Sequence, residues 1–218
     1  MFRLIKKLIK LGLIIVILAG SIIGLFGYFK YKEAIKEIPI TEKVASIKED
    51  EGFTPIDEIT LEFTDAIVAI EDHRFYEHGA FDFISLVRAT FVNLKAREII
   101  QGGSTLTQQV AKNIYFGNDQ SFIRKVAELF VSLDLERLYS KDDILELYVN
   151  IIYYGEGHYG IKEASENYFG KLPSELSYDE ATLLAGFPQA PSVYSSNIDM
   201  AKQRQSEVMK ALTEYRSE

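Results

Sequence analysis

Residues 71–82 read Glu-Asp-His-Arg-Phe-Tyr-Glu-His-Gly-Ala-Phe-Asp. Upstream, Ile59, Phe63, Ile67 and Ile70 recur at helical spacing, which predicts a helix starting near Ile56 and running out at this stretch. Ionisable groups are therefore concentrated at a helix end, among aromatic rings that exclude water. Such surroundings raise a carboxylate's pKa and suit it to proton transfer. A solvated helix end laced with salt bridges has the same composition, and these twelve residues alone do not decide between the two.

Further upstream, residues 11–29 carry no charge, LGLIIVILAGSIIGLFGYF. Nineteen residues at about 1.5 Å each span roughly the 30 Å of a bilayer's hydrocarbon core. Arg3, Lys6, Lys7 and Lys10 precede any acidic residue, so residues 1–10 form a basic tail expected to stay in the cytoplasm. The rest of the chain is then expected on the extracytoplasmic side of a single-pass bacterial membrane anchor. A cleaved signal peptide shows the same order of regions, but the run is long for one and no A-x-A site follows it. Residues 30–55 alternate in charge and are broken by Gly52 and Pro55, which reads as a juxtamembrane connector before a domain over 56–218.

The composition is that of a folded chain: 218 residues, 47% hydrophobic and 26% charged. There is no cysteine, hence no disulfide and no thiolate metal site. Taking the four N-terminal positive charges from a net −8 leaves −12 on the remainder. So acidic a body excludes general nucleic-acid binding. An anionic substrate would have to meet a local cluster of lysines and arginines.

Downstream, Phe81, Phe83, Ile84, Leu86, Val87, Phe91, Val92 and Leu94 crowd a segment too short to span a membrane. They are either core or a stripe that dips into the outer leaflet. Residues 95–104 end in Gly102-Gly103 and read as a mobile loop. Helices are expected near 121–138 and 141–152, the second with Ser140 as N-cap of a capping box. A loop rich in Gly and Tyr covers 153–160, and helices flank the Pro188–Pro191 turn before a charged C-terminal helix. The expected class is mainly α.

Two further runs carry chemistry. Residues 102–113 read Gly-Gly-Ser-Thr-Leu-Thr-Gln-Gln-Val-Ala-Lys-Asn. A Gly-Gly turn feeding a Ser/Thr cap presents backbone N–H groups at a helix start, a natural anion site, though it also begins many ordinary helices. Gln108 and Lys112 share a helix face. In Arg124-Lys125-Val126-Ala127-Glu128, Arg124 and Glu128 are i,i+4 partners, by default a structural surface pair.

In this order and spacing the three runs resemble the peptidoglycan glycosyltransferases of family 51. The resemblance continues through residues 140–150 (SKDDILELYVN), 154–161 (YGEGHYGI), 168–171 (YFGK) and 185–192 (AGFPQAPS), covering about residues 55–200. It implies a lysozyme-like helical fold with a cleft facing the membrane. It also implies lipid II as substrate, inverting transfer to a growing β-1,4-linked glycan, and release of undecaprenyl pyrophosphate. Glu71 falls on the family's catalytic base. Glu128 falls on its second glutamate, which holds the pyrophosphate directly or through a divalent cation such as Mg or Mn. Lys112, Arg124 and Lys125 match positions that screen the leaving group, and Ser104, Thr105, Gln108 and Gln109 the donor side. Asp72, Phe75, His78 and Asn113, in the same blocks, complete the substrate-binding set. No organic cofactor is implied; other wall-synthesis proteins are candidate partners.

Two positions depart from the family pattern. Its glycine two residues after the histidine is here Ala80, preceded by Gly79, which bears on the turn carrying Asp82. Its arginine four residues before Arg124 is here Gln120. No serine is followed three residues later by lysine, so the nucleophile pair of penicillin-binding domains is missing and a monofunctional enzyme is expected. A lysozyme-like hydrolase of the same polymer and a catalytically dead wall-synthesis partner are the rival readings. The three cations count against the first, and the two glutamates against the second. The three histidines form no metal-ligand pattern.

Overall fold

The computed structural model of the chain describes residues 2–96, 102–117 and 121–217. Its α-helices begin with α1 Phe2–Glu37, α2 Ile40–Lys48, α3 Leu61–Glu71, α4 Phe83–Ala96, α5 Leu106–Ala111 and α6 Phe122–Leu138. They continue with α7 Lys141–Ile151, α8 Ile161–Phe169, α9 Tyr178–Ala185, α10 Pro191–Tyr194 and α11 Ile198–Tyr215. One small antiparallel hairpin, β1 Tyr153–Gly155 with β2 His158–Tyr159, sits between α7 and α8. The fold is mainly α, with a long apolar helix at its N-terminus.

At about 1.5 Å per residue α1 is roughly 54 Å long, more than the ~30 Å of a hydrocarbon core. None of its apolar window is buried against the rest of the chain. Its upper third is different, because it lies along α6. Tyr28 and Tyr31 pack on Phe130 with ring centroids 5.4 and 5.5 Å apart, and the Tyr31 hydroxyl donates to Asp134. A Cβ placed on Gly27 would sit 2.5 Å from Val126 Cβ and 3.1 Å from the Ile123 carbonyl oxygen. Only glycine lets the two helices come this close.

The core is closed by α3, α5, α6, α7, α9 and α11, around the fully buried Phe63, Ile67, Leu106, Leu135, Tyr148 and Leu184. Ser140 caps α7 in the expected box with Asp143. The expected connector 30–55, by contrast, is part of the domain. Most of it completes α1 and forms α2, whose Ile40 and Val44 are buried. Asn150 Oδ1 accepts from the Thr54 N–H at 2.8 Å and Asn150 Nδ2 donates to the Thr54 carbonyl at 2.8 Å, while Glu146 accepts from the Ile56 N–H at 3.0 Å. Partners on α7, more than eighty residues away, leave no trace in local charge patterning.

The expected loop at 153–160 holds the hairpin. Its turn residues Glu156 and Gly157 both have positive φ, the conformation that tight two-residue hairpins require. The stripe on α4 is surface and not core: Phe83, Phe91 and Leu94 are 65%, 69% and 74% exposed. Asp82 starts that helix by accepting from the Ile84 and Ser85 N–H groups and the Ser85 hydroxyl. Ala80, just before it, is buried in ordinary backbone, so the displaced glycine leaves the turn intact. Gln120 lies outside the described residues, as does half of the expected mobile loop, residues 97–101.

Replacing Gly27 by Leu overpacks the α1–α6 contact and should cost about 1–3 kcal/mol of stability. A lowered thermal unfolding midpoint in detergent, set against an unchanged midpoint for Gly20→Leu on the open face of α1, is the expected pair of results.

Candidate active site

A cleft of about 710 Å³ opens where α3 ends, bounded by the start of α4, residues 102–105, α5, the start of α6 and one residue of α11. Eleven of the residues expected from sequence line it: Glu71, Asp72, Ser104, Thr105, Gln108, Gln109, Lys112, Asn113, Arg124, Lys125 and Glu128. Phe75 and His78 do not. Phe75 is fully buried beneath the cleft, and His78 is turned away from it.

What holds His78 is Asp72. Its Oδ1 lies 2.7 Å from His78 Nε2, and His78 Nδ1 lies 2.7 Å from the Gly79 carbonyl. Burial disfavours charge on the imidazole, but hydrogen bonds to two acceptors outweigh it and raise its pKa. Asp72 Oδ2 accepts from the Leu106 N–H at 2.9 Å. The pair thus ties the loop after α3 to the start of α5, a structural task.

This arrangement also engages part of the expected Gly-Gly-Ser-Thr helix start. Thr105 is the N-cap of α5, with its hydroxyl accepting from the Gln108 N–H. The Leu106 N–H is already taken by Asp72 and the Gln108 N–H by Thr105. The Thr105 hydroxyl and the Gln108 amide both donate to the Ala80 carbonyl at 3.1 Å, which locks the loop against the α4 side.

Glu71 ends α3 with its carboxylate nearly covered. Gln109 Nε2 donates to its Oε2 at 3.0 Å, and Arg204 Nη2 stands 3.8 Å from its Oε1. Burial is the dominant influence and pushes its pKa up; Gln109 and Arg204 pull it back, and nearby Asp72 adds to the rise. A carboxyl raised in this way and facing a cleft is suited to accept a proton.

The other wall is cationic. Arg124 Nε is 3.1 Å from Glu128 Oε1 and Lys125 Nζ is 2.9 Å from Glu128 Oε2. Glu128 has no exposed surface, so this is a buried pivot and not the surface pair expected. Arg124 also donates to the Gly117 carbonyl at 3.0 Å, and Lys125 to the Ser104 hydroxyl at 2.7 Å. Lys112 opens the wider π turn Lys112–Phe116 that continues α5 and has no ion-pair partner among the described residues. Three cations against one carboxylate leave this wall able to hold a phosphate group.

The residues do not fit a resident metal ion. Both oxygens of Glu128 already face cations, and no three acidic or histidine side chains gather among the described residues. Sequence reasoning also missed lining residues, above all Arg204. It sits in α11, beyond the last motif, in what reads as an ordinary charged helix. Its one signal is distant: a Cβ on Gly186 would meet Arg204 Cγ at 2.9 Å.

Comparison with known proteins gives a consistent picture. Residues 39–213 match the transglycosylase family. A Cupriavidus necator protein named as a transglycosylase is 38% identical over 216 residues, covering 98% of this chain and 91% of its own length. Penicillin-binding protein 1F of Bacillus subtilis is 36% identical over 227 residues, covering 96% of this chain and 32% of the relative. For penicillin-binding protein 1A of Vibrio cholerae the figures are 34% over 235 residues, 96% and 28%. The chain thus spans most of the first relative and a third or less of the other two.

Because Arg204 favours the ionised form of Glu71, Arg204→Met should move ionisation of Glu71 to higher pH. Carbon-13 titration of that carboxyl reads the shift, and an unchanged or lowered midpoint would contradict this account of the site.

Proposed function

This chain belongs to the transglycosylase family, and on that premise we propose that Glu71 is the general base of a lipid II polymerase. Polymerisation of peptidoglycan glycan chains is the family's reaction; its assignment to lipid II and to named residues is our reading. The acceptor's 4-hydroxyl gives its proton to Glu71 as its oxygen bonds to the anomeric carbon of the lipid-linked chain. The bond from that carbon to the pyrophosphate breaks, its electrons leave with undecaprenyl pyrophosphate, and the centre inverts.

The observation that carries this reading is the opposition of the two walls. A neutral hydroxyl needs one positioned base, and Glu71 supplies it. A departing pyrophosphate takes on one further negative charge as the C–O bond breaks, which cations stabilise better than a proton does, and Lys112, Arg124 and Lys125 meet it. A hydrolase of the same polymer has no use for that wall. Glu128 holds Arg124 and Lys125 in place. The activity proposed for this domain is glycosyl transfer, on the extracytoplasmic side of a membrane crossed by α1. The exposed stripe of α4 rests in the outer leaflet beside the cleft.

Glu71→Gln nearly preserves shape and should leave the fold intact while cutting polymer formation from lipid II by on the order of 100-fold or more. Near-normal turnover by the folded variant would assign the base elsewhere. Phe83, Phe91 and Leu94 replaced together by Ser should leave the unfolding midpoint nearly unchanged, since exposed positions cost within about 0.5 kcal/mol each. The same variant should lose activity in vesicles more than in detergent; equal loss in both would separate the stripe from the membrane.

A further inference from the structure

On the reading that α1 crosses the bilayer, we propose that the N-terminal end of α6, tipped by Phe122, is a second membrane-inserting lip facing the α4 stripe across the cleft. The two helices run parallel. Gly27 meets Ile123 and Val126, Tyr28 meets Phe130, and Tyr31 reaches Asp134 further along. As α1 leaves the membrane, α6 rises beside it, so the first residue of α6 is its membrane-proximal end.

The depth follows from helix geometry. Val126 is level with Gly27, which lies inside the uncharged run and three residues before Lys30. Phe122 is one turn earlier on α6, about 6 Å deeper, which puts it roughly 10 Å below the level of Lys30. There its ring is 81% exposed, and the region around it is the hydrocarbon that covers the neighbouring turns of α1. Across the cleft, Ser85, Arg88 and Val92 of α4 face Arg124 and Lys125, and the far side of α4 carries the apolar stripe. Cations therefore lie between two apolar edges, only about 3–5 Å above Phe122 along α6. A lipid-linked anion can meet them at headgroup level while its hydrocarbon chain stays among the acyl tails.

The chain contains no tryptophan, so Phe122→Trp gives a single reporter in the full-length protein. Leu138→Trp is the control, on an exposed site at the far end of the same helix, about 24 Å further from the membrane. Each is reconstituted into phosphatidylglycerol vesicles whose acyl chains carry bromine, with circular dichroism confirming the fold. The expected result is blue-shifted, bromine-quenched emission from position 122 and water-like, unquenched emission from position 138. Water-like emission from position 122, in protein that floats with the vesicles, would overturn the second lip and leave the anchor standing. Equal quenching at both positions would overturn the parallel rise of α6. Protein that fails to float would overturn the anchor reading and this inference with it.

Discussion

A carboxylate without solvent exposure must be compensated, and Glu128 is compensated from both sides, by Arg124 and Lys125 of its own helix. Burying one charge alone costs several kcal/mol; burying it between two cations turns the cost into order. The two cations would otherwise repel each other across one turn of α6. With Glu128 between them, they stay within about 3 Å of a common anchor and keep part of their donor capacity for the cleft. The geometry of the cationic wall therefore precedes substrate, which is the condition for electrostatic catalysis without reorganisation.

The two glutamates show how environment divides labour between like groups. Glu128 is locked by close ion pairs. Glu71 has its nearest cation at 3.8 Å and one amide donor, in a pocket backed by the buried rings of Tyr148 and Tyr154. Desolvation dominates there, so its proton affinity rises without being trapped.

What the sequence made legible were features coded within one or two helical turns. The apolar run of α1, the capping box at Ser140 and the boundaries of α6 and α7 all belong to that class. So does most of the cleft, because its residues cluster at three helix ends in short runs. What escaped was contact at a distance. Thr54 reads as linker until Asn150 is seen to bond its backbone, and His78 reads as a substrate ligand until Asp72 and Gly79 are seen to occupy both its ring nitrogens. Arg204 reaches Glu71 across more than a hundred residues of chain, signalled only by a glycine that makes room for it.

The same distinction bears on how an anchor relates to a catalyst. The family match begins at residue 39, just after α1, as if the anchor were a separable tether. The packing argues otherwise. Val126 sits between Lys125 and Ala127 on the turn that supplies the cations, and its side chain is the one pressed against Gly27. Any shift of α1 relative to α6 is therefore delivered to the turn that carries Arg124, Lys125 and Glu128. On the proposed reading, a rigid helix continuous from bilayer to cleft would convert membrane position into substrate register, because a lipid-linked pyrophosphate would have its height fixed by its own tail. A flexible tether would hold the enzyme near the membrane; a braced one also holds its cations at the height where the charge arrives.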